Sequence, residues 1–333
     1  MSKHFNGASR WALVAMGAAC ALGATPARAS EGGASFYLLG SGGPGAAVMP
    51  PVEGVFLDNT IYIYDASAGA DRQFVIGGNV VAGLDVTVAA EFLTLLWVPS
   101  TDVLGGTLSV GAALPVGAPI VDVNAVITGP RGNQFQISAH DSALVVADPI
   151  ATMALGWKTG KVSLQTGATL NIPIGRYRED QLANLAFHRW VLDTSFAASW
   201  IDPKAGWDVS GKLGFTFNGR NDFTDYDTGN EFHAEASVEK TFSPVFSAGL
   251  QGFYYKQISG DTGSGARLGP NKGEIAGLGA TAATHLMLGR SPATFRIRAF
   301  KEFAAENRPE GASVWVSLTL PLSMKLPKGA APQ

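Results

Sequence analysis

"KVSLQTGATLNIPI" spans residues 161–174, and its side chains alternate in character at every step. Val162, Leu164, Ala168, Leu170, Ile172 and Ile174 share one parity with Thr166. Lys161, Ser163, Gln165, Thr169 and Asn171 share the other with Gly167 and Pro173. Successive side chains of a strand point to opposite faces, so this is a strand with one dry face and one wet face. A soluble sandwich turns the dry face inward, whereas a membrane barrel turns it out to lipid. The fold class depends on which face looks where.

The alternation recurs along the second half of the chain. Trp190, Leu192, Phe196, Ala198 and Trp200 oppose Arg189, Asp193, Ser195 and Ser199. Trp207, Val209, Leu213, Phe215 and Phe217 oppose Asp208, Ser210, Lys212, Thr216 and Asn218. Phe232, Ala234, Ala236, Val238 and Phe242 oppose Glu231, His233, Glu235, Ser237, Glu239 and Thr241. Phe295, Ile297 and Ala299 oppose Arg296 and Arg298, and Val314, Val316, Leu318 and Leu320 close the series.

Short turn signals such as "KTGK" (158–161) and "DPKAG" (202–206) alternate with longer polar stretches at 175–187, 219–230 and 259–273. That is the up-and-down hairpin rhythm of an outer-membrane barrel. The aromatics decide against a sandwich. Trp190 and Trp200, Trp207 and Phe217, and Phe232 and Phe242 bracket their dry faces. Each pair is ten residues apart, about 33 Å along a strand and about 25 Å once tilted, the height of a lipid-facing band between two aromatic girdles. The dry side is therefore expected to face outward. The outward-parity Lys240 and Lys256 lie near strand ends, where lipid penalises a charge little.

Composition agrees. Of 333 residues only 15% are charged, and the net charge of −3 gives no footing for a nucleic-acid partner. Lys3 and Arg10, the apolar run Trp11 to Leu22 and "ARA" at 27–29 read as a secretory signal, so the mature chain is expected to start at Ser30. Cys20 would suit a lipoprotein signal, but the "GAA" before it lacks the usual large aliphatic residue. If Cys20 leaves with the signal, the mature chain has no cysteine. The longest apolar stretch, 80–98, is interrupted by Asp85 and Glu91, so no membrane helix is expected.

The predicted organisation is a signal peptide at 1–29, an N-terminal segment at 30–53 that is either a plug or a periplasmic tail, a barrel over 54–322 and a tail at 323–333. The fold class is all-β: a transmembrane antiparallel up-and-down barrel of about 12–14 strands. Strands are expected at about 54–65, 104–115 and 149–158, with 74–98 as one very long strand or two short ones.

Several stretches carry a family likeness: "FYLLG" (36–40), "MPPVEGVFLDN" (49–59), "LGG" (104–106), "IPIGRYREDQLANLAFHRW" (172–190), "GNEFHAEASVEKTFSP" (229–244) and "VWVSLTLPL" (314–322). Together they resemble the outer-membrane proteins of Gram-negative bacteria named for the meta-pathway of phenol degradation. The likeness covers nearly the whole mature chain. It implies a barrel akin to the long-chain fatty-acid and aromatic-hydrocarbon transporters, and uptake of hydrophobic or aromatic compounds. One departure is the tail "SMKLPKGAAPQ", which stands where such barrels usually end on an aromatic residue.

Other motifs read more plainly. "GSGGPG" (40–45) matches G-x-G-x-x-G, but Pro44, Pro50 and Pro51 surround it and no helical pattern follows to hold a pyrophosphate. "HDS" (140–142) holds the residue types of a catalytic triad, but neighbours in an extended chain point apart. His233 with Glu231 and Glu235 has strand spacing that could suit a metal, or could be ordinary lumen polarity.

The lumen-facing candidates are Arg189, Asp193, Asp208, Lys212, Glu231, His233, Glu235, Glu239, Arg296 and Arg298. The girdle candidates are Trp190, Trp200, Trp207, Phe217, Phe232 and Phe242. No enzyme activity, catalytic residue, metal or cofactor is expected. The expected partners are outer-membrane lipid, the barrel-assembly machinery and a small hydrophobic or aromatic solute, with the protein a monomer. Loop aromatics such as Tyr177, Tyr226 and Phe223 would capture the solute, and the N-terminal segment would gate the interior. The alternatives are a general diffusion porin and a non-conducting structural or surface-binding barrel.

Overall fold

The dry face of the 161–174 stretch looks outward. In this computed structural model Val162 is 42% exposed, while its neighbour Ser163 is 4% exposed. Residues 31–128, 134–178, 181–289 and 291–325 are described; the expected signal peptide and the end of the C-terminal tail lie outside them.

The long strands β1 (Gly54–Ile76), β2 (Asn79–Val103) and β3 (Gly106–Thr128) come first. Two short strands follow, β4 (Gln134–Ser142) and β5 (Val145–Val146). Next come β6 (Ile150–Thr159), β7 (Val162–Asn171), β8 (Val191–Asp202) and β9 (Trp207–Asn218). The two-residue strands β10 (Arg220–Asn221) and β11 (Tyr226–Asp227) form a ribbon within a loop. The series ends with β12 (Glu231–Ser243), β13 (Phe246–Gln257), β14 (Glu274–Leu288), β15 (Ser291–Glu306) and β16 (Glu310–Met324).

β1 pairs antiparallel with β2 on one side and with β16 on the other, so the ring closes. With β4 and β5 set aside on the edge of β3, the closed barrel has twelve strands. Tight turns at 104–105, 160–161, 203–206 and 244–245 mark one end, and the connections 172–190, 219–230 and 258–273 mark the other.

The first half differs from the sequence reading. The stretch 74–98 is neither one strand nor two short ones. It contains the end of β1, a turn at Gly77 and Gly78 (φ 54° and 80°) and most of β2. Gly77 is required there twice over. Its backbone is left-handed, and a Cβ would stand 2.4 Å from the Gln181 carbonyl oxygen. β1, β2 and β3 also run well past their expected ends.

Along β3 one edge passes between partners. β6 pairs with Thr107 to Ala113, β5 with Val116 and Gly117, and β4 with Ile120 to Thr128. Pro115 and Pro119 lie at the two hand-overs; their carbonyls accept from Ala147 and Ala143, but neither can donate to that edge.

The β1–β2 hairpin overhangs the barrel and caps its mouth. Phe74 and Ile76 join Leu84, Val121, Val123 and Ala183 in a buried cluster. Val75 packs against Tyr226 and Leu268 from the far-side loops.

Lipid-facing charge is not confined to strand ends either. Lys240 and Lys256 do lie there, held by the Ala205 carbonyl and by Glu274 at 2.7 Å, respectively. Glu91 faces outward between Ala89 and Leu93, and Asn59 donates to it at 2.7 Å. Both Glu91 and Val316 pair with Ile61, in mid-strand of β16, so this couple lies within the apolar band.

Candidate functional site: a plugged lumen with an apolar chamber

The wet faces of β8 to β16 line the interior, and the N-terminal segment runs through it. Gly40 N donates to Glu235 at 2.9 Å, and Gln251 and Arg298 both donate to the Gly40 carbonyl, at 3.1 and 3.0 Å. Gln251 also donates to the Gly42 carbonyl, Ser210 Oγ accepts from Gly45 N at 3.1 Å, and Ser199 Oγ accepts from Ala47 N at 3.0 Å. Backbone groups buried away from water need partners, and here the barrel wall supplies them.

The glycines of "GSGGPG" permit this approach. A Cβ on Gly40 would meet the Phe300 ring at 2.8 Å, and one on Gly43 would meet Gln251 at 2.8 Å. Strand β1 follows, not a helix, so the stretch serves wall packing and has no pyrophosphate site.

The ten lumen candidates differ in burial. Arg189, Asp193, Glu231, His233, Glu235 and Glu239 are buried, while Asp208, Lys212, Arg296 and Arg298 are half-buried. Thr216 donates to Asp193 at 2.7 Å, and His233 Nε2 lies 2.8 Å from the same carboxylate. Tyr37 of the segment stacks on His233 with ring centres 3.5 Å apart, and Lys212 lies 4.9 Å over Tyr37. Arg296 bridges Glu239, and Ser210 donates to Asp208 at 2.5 Å. Glu231 lies opposite Gln257 and Thr216 in the ladder. Among the described residues no group of three metal-ligating side chains converges, and the His233 set is spent on Asp193 and on the segment.

The "HDS" residues point apart. His140 contacts Asp122 at 2.7 Å on the outside, whereas Asp141 accepts from Arg178 at 3.0 Å and from Ala183 N at 2.8 Å. Of the girdle candidates, Trp190, Trp200, Trp207, Phe217 and Phe242 are exposed on the outer surface; Phe232 is partly covered there by Phe215, 5.4 Å away.

The chamber above the plug was not anticipated from the residue pattern. A cavity of about 250 Å³ lies between residues 31–39, the inner faces of β1 to β3 and the 182–189 stretch. Phe36, Tyr62, Val88, Phe92, Pro119 and Leu185 make most of it apolar, and Arg189, Arg308, Glu31, Asp148 and Glu302 bring charge of both signs to it. A signal was present: Leu84, Val86, Val88, Ala90 and Phe92 are apolar on the inward parity of β2, with Asp85, Thr87 and Glu91 on the outward parity ahead of Leu93, Leu95 and Trp97. A barrel strand that is apolar on its inward face marks a dry sector of lumen. A second cavity, of about 320 Å³, opens at the turn end around Met49, Gly106 and Trp157. Residues 40–47 are bound to the wall between the two.

Loops cover the chamber. Asp148, 1% exposed, accepts from Asn171 Nδ2, Gly175 N, Phe187 N and His188 N at 2.8–3.0 Å, which ties the 172–190 connection to the wall. Tyr177, His188 and Phe223 form a ring cluster, with Tyr177 and Phe223 stacked 5.8 Å apart. Tyr226 is buried beneath the cap, its hydroxyl donating to Asp261 at 2.6 Å. Burial pushes the Asp261 carboxyl up, although Tyr226, Gly229 and Gln257 pull it back. Burial, and next the Glu31 carboxylate, push the Tyr177 hydroxyl well up, so it remains a donor.

Residues 70–318 match the family model described as "Putative MetA-pathway of phenol degradation". The chain belongs to this family. No curated protein matches it. Among solved structures, the chain is similar to an outer membrane channel from Pseudomonas putida F1, with 17% identity and a TM-score of 0.64 over 83% of this chain and 98% of that one. The likeness is one of fold: a closed antiparallel barrel of the outer-membrane channel type. A Pseudomonas aeruginosa FadL homologue matches at 10% identity with a TM-score of 0.42, over 89% of this chain and 98% of its own. The translocator domain of the autotransporter NalP from Neisseria meningitidis matches at 10% identity and 0.43, over 82% and 88%.

Proposed function

We propose that this protein is an outer-membrane channel that passes small hydrophobic, aromatic compounds down their gradient. The observation that carries the reading is the apolar chamber of about 250 Å³ inside an otherwise polar lumen. Such a chamber fits a single-ring compound and gives it a dry resting place between the capping loops and the plug. The family's description points to the same class of compound. The solute would enter past Tyr177, His188 and Phe223, rest against Phe92 and Pro119, and leave when residues 40–47 release the wall. The route consists of side chains and backbone alone, with binding and gating the only steps.

A general diffusion porin is less favoured, because the segment's backbone is hydrogen-bonded to the wall in the middle of the bore. The test is uptake of a dilute labelled aromatic and of a sugar of similar size, in cells with and without the gene. Gene-dependent entry of the aromatic alone is expected. Equal entry of both would establish a porin, and entry of neither would refute the channel.

A further inference from the structure

Glu31 is held at the outer end of the chamber. Its carboxylate accepts from Asn221 Nδ2 at 3.1 Å and from the Tyr177 hydroxyl at 3.4 Å, and it lies 3.5 Å from Arg189 Nη1. Arg189 is fixed independently of Glu31. It is 2% exposed, its Nε donates to Asn218 at 3.2 Å, and its guanidinium lies 5.1 Å from the Phe187 ring. Its Nη2 has no partner, and Arg308 on the same chamber has two unpartnered nitrogens, Nε and Nη1. The wall and loops thus hold a ready cradle for a carboxylate, and the group that fills it belongs to the plug.

We propose that the Arg189–Asn221–Tyr177 cradle is a recognition site for small aromatic carboxylates, and that such a ligand displaces Glu31 and loosens the plug. The inference rests on the channel reading and names a ligand class for its chamber. Charge supplies the reason for the class. Exchanging one carboxylate for another leaves the charge of a buried cluster unchanged, whereas a neutral ligand would take away the carboxylate that lies directly against the Arg189 guanidinium. The planar guanidinium fork matches two carboxylate oxygens, and the rings of Phe36, Phe187 and Tyr177 flank the place where an aromatic body would lie. Neutral aromatics can then occupy the chamber without opening the latch, whereas acids open it.

The test uses the full-length protein in liposomes with Cys20→Ser and a reporter substitution, Ser35→Cys, in the segment. The rate of labelling by a charged thiol reagent is followed against benzoate, benzyl alcohol or acetate. Benzoate is expected to raise the rate about tenfold and saturably, roughly the worth of one lost charge-assisted hydrogen bond, with little effect of the other two. Glu31→Gln should raise it comparably without ligand and abolish the benzoate response. Leu38→Cys repeats the measurement should the first reporter disturb folding. Labelling indifferent to benzoate, equal for benzyl alcohol, or unmoved by Glu31→Gln would overturn the proposal. Entry of labelled benzoate into the same liposomes, above that into protein-free ones, is read separately. Entry with a benzoate-insensitive label sinks the latch alone, and no entry sinks the channel.

Discussion

Deleting residues 36–47 removes the part of the segment that the wall grips, while β1 and every other barrel strand keep their partners. The size of the effect follows from the ring. Twelve strands spaced about 4.8 Å apart and tilted about 40° close on a backbone diameter of about 24 Å. Side chains from opposite walls leave a bore of about 12 Å when nothing fills it, wide enough for a hydrated monosaccharide. The deletion should therefore turn a barrel that excludes sugars into one that passes them and still excludes larger oligosaccharides. Liposome swelling against sugars of graded size reads this directly, with retained strand content by circular dichroism showing that the barrel has folded. A folded deletion variant that excludes glucose as well as the intact protein does would refute the claim that residues 36–47 are the barrier in the bore and leave the cap and loops as what closes it.

Three further outcomes follow from the geometry. Replacing both members of the lipid-facing pair, Glu91→Leu with Asn59→Leu, should raise folding stability in vesicles by about 1–2 kcal/mol, because two polar groups leave the apolar band; urea titration that gives equal or lower stability would place Glu91 outside lipid. Phe74 is fully buried in the cap, so Phe74→Ala should cost the cap about 3–5 kcal/mol and speed hydrogen exchange at 73–82 while the barrel strands are unaffected. Burial alone would raise the Asp141 carboxyl, but hydrogen bonds from Ala183 N and Arg178 outweigh it and hold the group below its ordinary value. Its contribution is then complete above the unfolded carboxylate range near pH 4 and is lost as pH falls through the lower folded value. Protease cutting of the 172–190 connection should rise only under such acid conditions, and Asp141→Asn should bring the same cutting to neutral pH.

What could be read from residues alone was local. Ser163 beside Val162 and Glu235 beside Ala236 report the two faces of a strand, because a period of two is set by the backbone and needs no distant partner. The aromatic pairs then turned the dry face outward, since only a slab of lipid asks for rings at both ends of a span. The chain's own residues also supplied the polar inner wall from β8 onward and the turn and loop ends.

The first half resisted because β2 moves its apolar residues from the inward parity (84–92) to the outward one (93–97), because β3 is apolar on both faces past Leu114, and because the β1–β2 turn is two glycines with no flanking polar run. Glu91 was legible as a charge but not as a lipid-facing one. The plug, the cap and the Glu31 latch were decided by tertiary structure. Gly40 meets Glu235 across 195 residues and Asn221 meets Glu31 across 190, contacts that exist only once the ring has closed and fixed which wall stands opposite the segment. Strand identity is written in neighbouring residues; the filling of the lumen depends on groups brought together by closure, and no local pattern encodes that.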